Sequence, residues 1–225
     1  MKIAMIVHAY YLKDARVRRY AELLARRGDQ VDVFCLRDGN EPKRQRHLDV
    51  TIHRIACGRL RGGKAAYLLE YGLSSLLFFL ALLKWTISTR TRRDVVHVHN
   101  MPDFLVFCAL PQRLLGARIV LDIHDLMPEV FQAKYALDRE NIVIRLLKVE
   151  ERLSIAFASA VITANHAFRD LLIQRGFPPD KITVVMNAPD EKFMQYQPKR
   201  QDGDARVGFH VMYVGTLAER YGVEL

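Results

Sequence analysis

The stretch "ARIVLDIHDLMPEVF", Ala117 to Phe131, joins two patterns. Ile119 to Ile123 is a short apolar run rich in β-branched residues, which reads as a buried strand. His124, Asp125, Pro128 and Glu129 then crowd the place where that strand must stop.

The same phrase recurs along the chain. "KIAMIVH" is a continuous apolar strand, and "DARVRRYAELLARRG" is an amphipathic helix closed by Gly28. "DQVDVFCLR" is a second strand. A polar loop with Gly39, Asn40 and Pro42 leads to "VTIHRI", Val50 to Ile55. "DVVHVHN", "RIVLDIH", "SAVITAN" and "KITVVMN" follow as further strands. Between them lie the helical segments "MPDFLVFCALPQRLLG", "NIVIRLLKVEERLSIAFA" and "HAFRDLLIQRG". Apolar strands alternating with helices predict an α/β fold: a doubly wound, mainly parallel sheet of about seven strands with right-handed crossovers. From Pro189 to Val207 the composition turns polar, as in a linker. "GFHVMYVGTLAERYGVEL" then opens a further strand and turn. The expected organisation is one domain over 1–188, a linker over 189–207, and the interrupted start of a second domain over 208–225.

Composition fits one α/β domain. The chain has 225 residues, half of them apolar, enough for a well-buried core. Lys and Arg number 34 against 25 Asp and Glu, a net charge of +9, which favours anionic partners. Cys35, Cys57 and Cys108 are odd in number and lack metal-like spacing, so they read as free thiols of a reducing cytosol. "IAMIVHAYYL" is apolar enough for a leader, but one lysine precedes it and no small-residue cleavage site follows; a first strand is expected instead.

Ligands of open α/β sheets bind beyond the carboxyl ends of the strands. At those ends stand His8, Tyr10 and Tyr11; His99 and Asn100; His124, Asp125 and Glu129; Asn165 and His166; and Asn187. One such residue is usually a cap or turn. Repetition at strand after strand predicts a polar site at one rim.

The combined run "DVVHVHNMPDFLVFCALPQRLLGARIVLDIHDLMPEVF", "ERLSIAFASAVITAN" and "KITVVMNAPDEKF" resembles the amino-terminal domain of family-4 glycosyltransferases of the GT-B fold. The resemblance covers Lys2 to about Phe193, and "YVGTLAERYG" is similar to the opening of that family's second domain. It implies two Rossmann-like domains facing a cleft, the first binding the acceptor and the second a nucleotide-sugar donor. Transfer would proceed with retention, with no catalytic metal and no cofactor. By this resemblance His124 lies near the reacting sugar and, with Asp125, is assigned to catalysis. His8, Tyr10, Asp14, Arg16, His99, Asn100, Glu129 and Asn187 are assigned to acceptor binding. Gly215 and Arg220 would meet the donor diphosphate. The first loop, "HAYYLKDARVRR", departs from the family's paired glycines and carries an Asp-x-Arg variant, Asp14 to Arg16. Thr216 and Tyr221 replace the arginine and lysine of many members, and no paired-glutamate donor motif occurs before Leu225.

Each assignment has a structural rival. His124 could satisfy backbone groups at a strand end, and Glu129 with Pro128 could simply start a helix. "HVH" sets His97 and His99 on one strand face near Asp122, a set zinc could use, but nothing in the spacing closes a tetrahedral shell. No GxGxxG follows the first strand, and no nucleophile elbow is present.

Tyr71 to Leu83 carries no charge. Arg59, Arg61 and Lys64 precede it, and Lys84, Arg90, Arg92 and Arg93 follow. The run is interrupted by Glu70, Gly72, Ser74, Ser75 and Lys84, and falls short of the roughly 20 apolar residues of a bilayer span. The segment 67–93 is expected to be a buried crossover helix with some surface for peripheral contact at the inner face of the membrane.

The leading expectation is the acceptor-binding half of a glycosyltransferase acting on a lipid- or polysaccharide-linked acceptor, which folds alone but transfers no sugar. The alternatives are a non-catalytic remnant binding a membrane or partner, and a relative of sugar-nucleotide epimerases. Nucleic acid is not an expected partner, because no recognition motif or aromatic-basic platform accompanies the charge.

Overall fold

The computed structural model describes residues 1–57, 64–89 and 93–188, and beyond them only positions 212 and 215. The expected linker, Arg220 and the expected second domain lie outside the described residues, except for Met212 and Gly215, both exposed.

Among the described residues eight strands form one sheet in the order β3-β4-β2-β1-β5-β6-β7-β8. These are β1 Lys2–Val7, β2 Gln30–Leu36, β3 Arg44–His47, β4 Val50–Ile55, β5 Val95–His99, β6 Arg118–Ile123, β7 Ala160–Thr163 and β8 Ile182–Val184. All neighbours pair in parallel except β3, which runs antiparallel to β4. The α/β, mainly parallel architecture agrees with the sequence reading. The strand missed there is β3, whose sequence "RQRH" has no apolar alternation. Among the described residues it bonds only to β4, at the sheet edge, so it needs no buried side chains.

Among the described residues six α-helices connect the strands: α1 Ala15–Arg26, α2 Lys64–Thr89, α3 Leu110–Leu114, α4 Met127–Tyr135, α5 Ile142–Phe157 and α6 His166–Gln174. The strands' alternation sorts their partners. Ile3, Met5 and Val7 pack with Val31, Val33 and Ile52 beneath Val17 and Ala21 of α1. Ala4, Ile6, Val96, Val98, Leu121 and Ile123 face the other way, against Phe78 and Leu82 of α2, Ile155 of α5 and Leu172 of α6. Caps fix the helix starts. Asp14 Oδ1 accepts the Val17 N–H, and the Asn141 and Asn165 side chains cap α5 and α6.

The segment expected as one helix from Met101 splits into a 3-10 helix, Asp103–Ala109, and the short α3. Pro111 explains the break: without an N–H it suits the first turn of a helix rather than its interior.

Helix α2 is both core and surface. Ser74, Phe78, Leu82 and Thr86, every fourth residue, are buried, while Leu73, Leu76, Leu80 and Ile87 are exposed. By length and composition its Tyr71–Ser88 window could cross a membrane, at mean hydropathy 1.4. Arg93, read from sequence as a flanking base, is instead buried: it pairs with Asp32 at 2.7 Å and lies 4.3 Å from the Trp85 ring.

Candidate active site

A cluster of buried polar residues gathers near the carboxyl end of β5 and β6, on the face covered by α1. Alternation along the strands sends His97, His99 and Asp122 to that face while Val96, Val98 and Leu121 enter the opposite core. Asp122 is fully buried. A buried carboxylate must be paired, and here the Arg16 guanidinium straddles it, with Nη2 at 2.8 Å from Oδ1 and Nε at 3.3 Å from Oδ2. His97 Nε2 and His99 Nδ1 each lie 3.4 Å from Oδ2, and His124 Nε2 lies at 3.6 Å.

The charge states follow from this packing. Burial works against ionising Asp122, but His124, His97 and His99 outweigh it and hold the carboxyl well below the ordinary carboxylate range. Burial, reinforced by His97, pushes His99 down to about 3, so its ring is neutral at physiological pH. His99 Nδ1 lies 3.1 Å from His124 Nε2, one nitrogen donating and the other accepting. Tyr20 of α1 roofs the cluster, its ring 5.5 Å from His97 and 6.0 Å from His99. Beside this roof lies a cavity of about 360 Å³ lined by Tyr20, Leu23, Leu24, Arg27, His97 and Ile162.

Asn100 fixes the turn that carries His124. Its Oδ1 accepts the His124 N–H at 2.7 Å, and its Nδ2 donates to the Asp125 carbonyl at 2.7 Å and to Asp103 Oδ1 at 2.8 Å. The last residue of the site arrives from beyond β8, where Asn187 Oδ1 accepts from Arg16 Nη1 at 2.7 Å.

Arg16, His99, His124 and Asn187, named separately in the sequence, therefore meet around Asp122, and Asn100 locks their frame. Asp125 is exposed on the same turn. His8 and Tyr10 occupy the same rim but lean elsewhere. The His8 ring lies tilted, 4.7 Å from Tyr71 and 6.2 Å from Phe78, on the α2 side, and the Tyr10 ring lies 5.0 Å from Lys13 Nζ. Asp14 is engaged as the α1 cap. Glu129 pairs with Arg175, whose other arm holds Glu151 at 2.5 Å. Gly215 is described only as an exposed bend.

Sequence reading undervalued Asp122 and His97. The available signal was a lone aspartate inside the apolar strand "RIVLDI". His97, His99 and Asp122 are close enough to hold a metal ion. However, the Arg16 guanidinium already supplies positive charge to both Asp122 oxygens, and a divalent ion would be set against it. The arrangement is better suited to holding one histidine, 20% exposed at its side chain, rigidly at the mouth of the sheet.

Residues 14–188 match the family described as glycosyl transferase 4-like domain. No curated protein sequence matches the chain. Among solved structures, sucrose-phosphate synthase from Thermosynechococcus elongatus is similar at 17% identity and a TM-score of 0.60, over 85% of this chain and 49% of that one. The catalytic domain of starch synthase IV from Arabidopsis thaliana, solved with ADP and acarbose, gives 14% and 0.55 over 85% and 52%. HepE from Anabaena, solved with UDP and glucose, gives 17% and 0.55 over 88% and 47%. The chain thus spans about half the length of these structures, all of which share its fold.

Proposed function

The chain belongs to the glycosyl transferase 4-like domain family, and from that premise we propose that it is the acceptor-binding half of a retaining, nucleotide-sugar-dependent glycosyltransferase. The observation that supports this reading is the fixed position of His124 at the carboxyl end of β6, between the Asn100 latch and the neutral His99. A histidine so held can present a hydrogen bond to the reacting sugar and stabilise charge as the glycosidic bond to phosphate breaks, with no reorganisation at that moment. Asp125, exposed on the same turn, is the group that would assist at the acceptor hydroxyl. His8, Tyr10, Arg16, His99, Asn100 and Asn187 line or support the acceptor side, while Asp14 and Glu129 hold the helices that carry it.

The donor is a nucleotide sugar, as suggested by HepE being solved with UDP and glucose. Its diphosphate would meet Gly215 and Arg220 in a donor-binding domain that begins at 208, after a linker over 189–207. The acceptor is lipid- or polysaccharide-linked, and the work takes place in the cytoplasm at the inner face of the membrane, with the segment 67–93 in peripheral contact.

The test is sugar transfer from a panel of nucleotide sugars to a lipid extract, with the chain in its full coding context. His124→Ala is expected to lower kcat by about 100- to 1000-fold, the effect of removing one preorganised charge-stabilising group. Transfer unaffected by His124→Ala would refute the role.

A further inference from the structure

Helix α5 is apolar on both sides, for Ile144 and Ile155 are buried towards the sheet while a second aliphatic row faces outward. Its inward side carries Glu151 and Ser154, both buried, and Glu150 bonds to the Phe104 N–H at 2.5 Å. Its outward side carries Ile142 at 63%, Leu146 at 61%, Val149 at 54% and Leu153 at 56% exposure. Their spacing of four, three and four residues lays them along one face. Arg145, Lys148 and Arg152 are exposed beside them. Through the 3-10 helix both α2 and α5 flank one side of the sheet, and there α3 adds Leu114, 77% exposed. Aliphatic side chains gathered on adjacent helices and edged with cations mark a binding surface.

We propose that the outward face of α5 is a docking surface for an anionic lipid bilayer. Charge decides between the candidate occupants. A second copy of this chain would bring Arg145, Lys148 and Arg152 against their own equivalents, because the acidic residues of α5 are turned inward. A bilayer bearing anionic head groups answers both features. The aliphatic ridge enters the acyl boundary, and the guanidinium and ammonium groups meet lipid phosphates. The inference deepens the reading of a lipid-linked acceptor and rests on it for its purpose, and it places the principal contact on α5 rather than on 67–93.

The experiment is co-sedimentation of the chain with vesicles of phosphatidylcholine alone and of phosphatidylcholine mixed with phosphatidylglycerol. Binding to the mixed vesicles is expected to be roughly tenfold or more tighter and to fall with added salt. Leu146→Ser combined with Leu153→Ser should weaken it by roughly tenfold or more, with thermal unfolding unchanged because both residues are exposed. Arg145→Gln with Lys148→Gln should remove much of the salt dependence. Unchanged binding in the α5 variants, or loss only in Leu76→Ser with Leu80→Ser, would overturn the proposal. So would a dimer that the α5 substitutions dissolve, which would make the occupant a second copy. Vesicle binding that persists without any sugar transfer supports the docking surface and counts only against the enzyme reading.

Discussion

Two of the ionic clusters among the described residues are opposites. Around Asp122 one carboxylate faces a guanidinium and three imidazoles. Around Arg175 one guanidinium faces Glu129 and Glu151, while Glu150 lies beside Asp103, the residue that Asn100 holds. Burial disfavours charge in both places. In the first, the partners outnumber the carboxylate and it stays ionised. In the second, carboxylates outnumber the cation. Burial raises Asp103 to about 6 and Glu151 to about 7, the latter despite Arg175, and burial together with Asp103 raises Glu150 to about 8. What sets the charge of a buried acid here is the count of its partners. A site meant to hold a fixed charge and one able to take up protons can therefore be built from the same residue types.

The largest expected effect breaks the first cluster. Asp122→Asn leaves the Arg16 guanidinium buried without a counter-charge, and should cost about 3–5 kcal/mol in denaturant unfolding. Arg175→Met should cost less, about 1–3 kcal/mol, because Glu151 can take up a proton when its partner goes. A loss from Arg175→Met as large as that from Asp122→Asn would refute the contrast.

A finer test uses pH. A carboxyl with a raised folded-state pKa keeps its proton after the unfolded chain has released it, so stability is lost as pH rises towards the folded value. Asp122 has the opposite sense, its contribution being lost as pH falls through the carboxylate range. His99 also acts on the acid side: below 6.5 the unfolded ring gains a proton that the folded ring refuses. Between about 6.5 and 8 the glutamates Glu150 and Glu151 act without that opposition, so the melting temperature should fall across this window. Glu150→Gln keeps an acceptor for the Phe104 N–H and should flatten the decline. A slope unchanged by Glu150→Gln would remove Glu150 from the account. The smallest effect belongs to the exposed pair Arg46–Asp49. There Arg46→Ala should leave the unfolding midpoint unmoved, as for most surface ion pairs.

Much of the fold was legible because burial on both sides leaves a plain trace. "KIAMIV" and "VVHVH" stand at the centre of a parallel sheet, where apolar runs are required. The edge strand β3 left no trace, since backbone pairing to β4 asks nothing of its side chains. The rim residues were legible one by one, through the rule that ligands lie beyond strand ends. Their grouping was not, because it depends on which face of the sheet each residue takes. His8 and His99 end neighbouring strands, yet His8 meets α2 and His99 sits under Tyr20 of α1. Asp122 was passed over for a related reason. An acid in a strand announces that it needs a partner, but the partner, Arg16, is 106 residues away in sequence.

The unremarkable β3 has a consequence for the protein in a crowded solution. A sheet with an open side offers its unpaired amides to any extended chain nearby, and such pairing can grow into ordered aggregates. On β3 an incoming strand would meet Arg44, Arg46 and His47 in four residues. Another copy would bring the Arg44 and Arg46 guanidinium groups against their own equivalents. The residues that hid this strand from sequence reading are of the kind that discourages edge-to-edge pairing between like molecules.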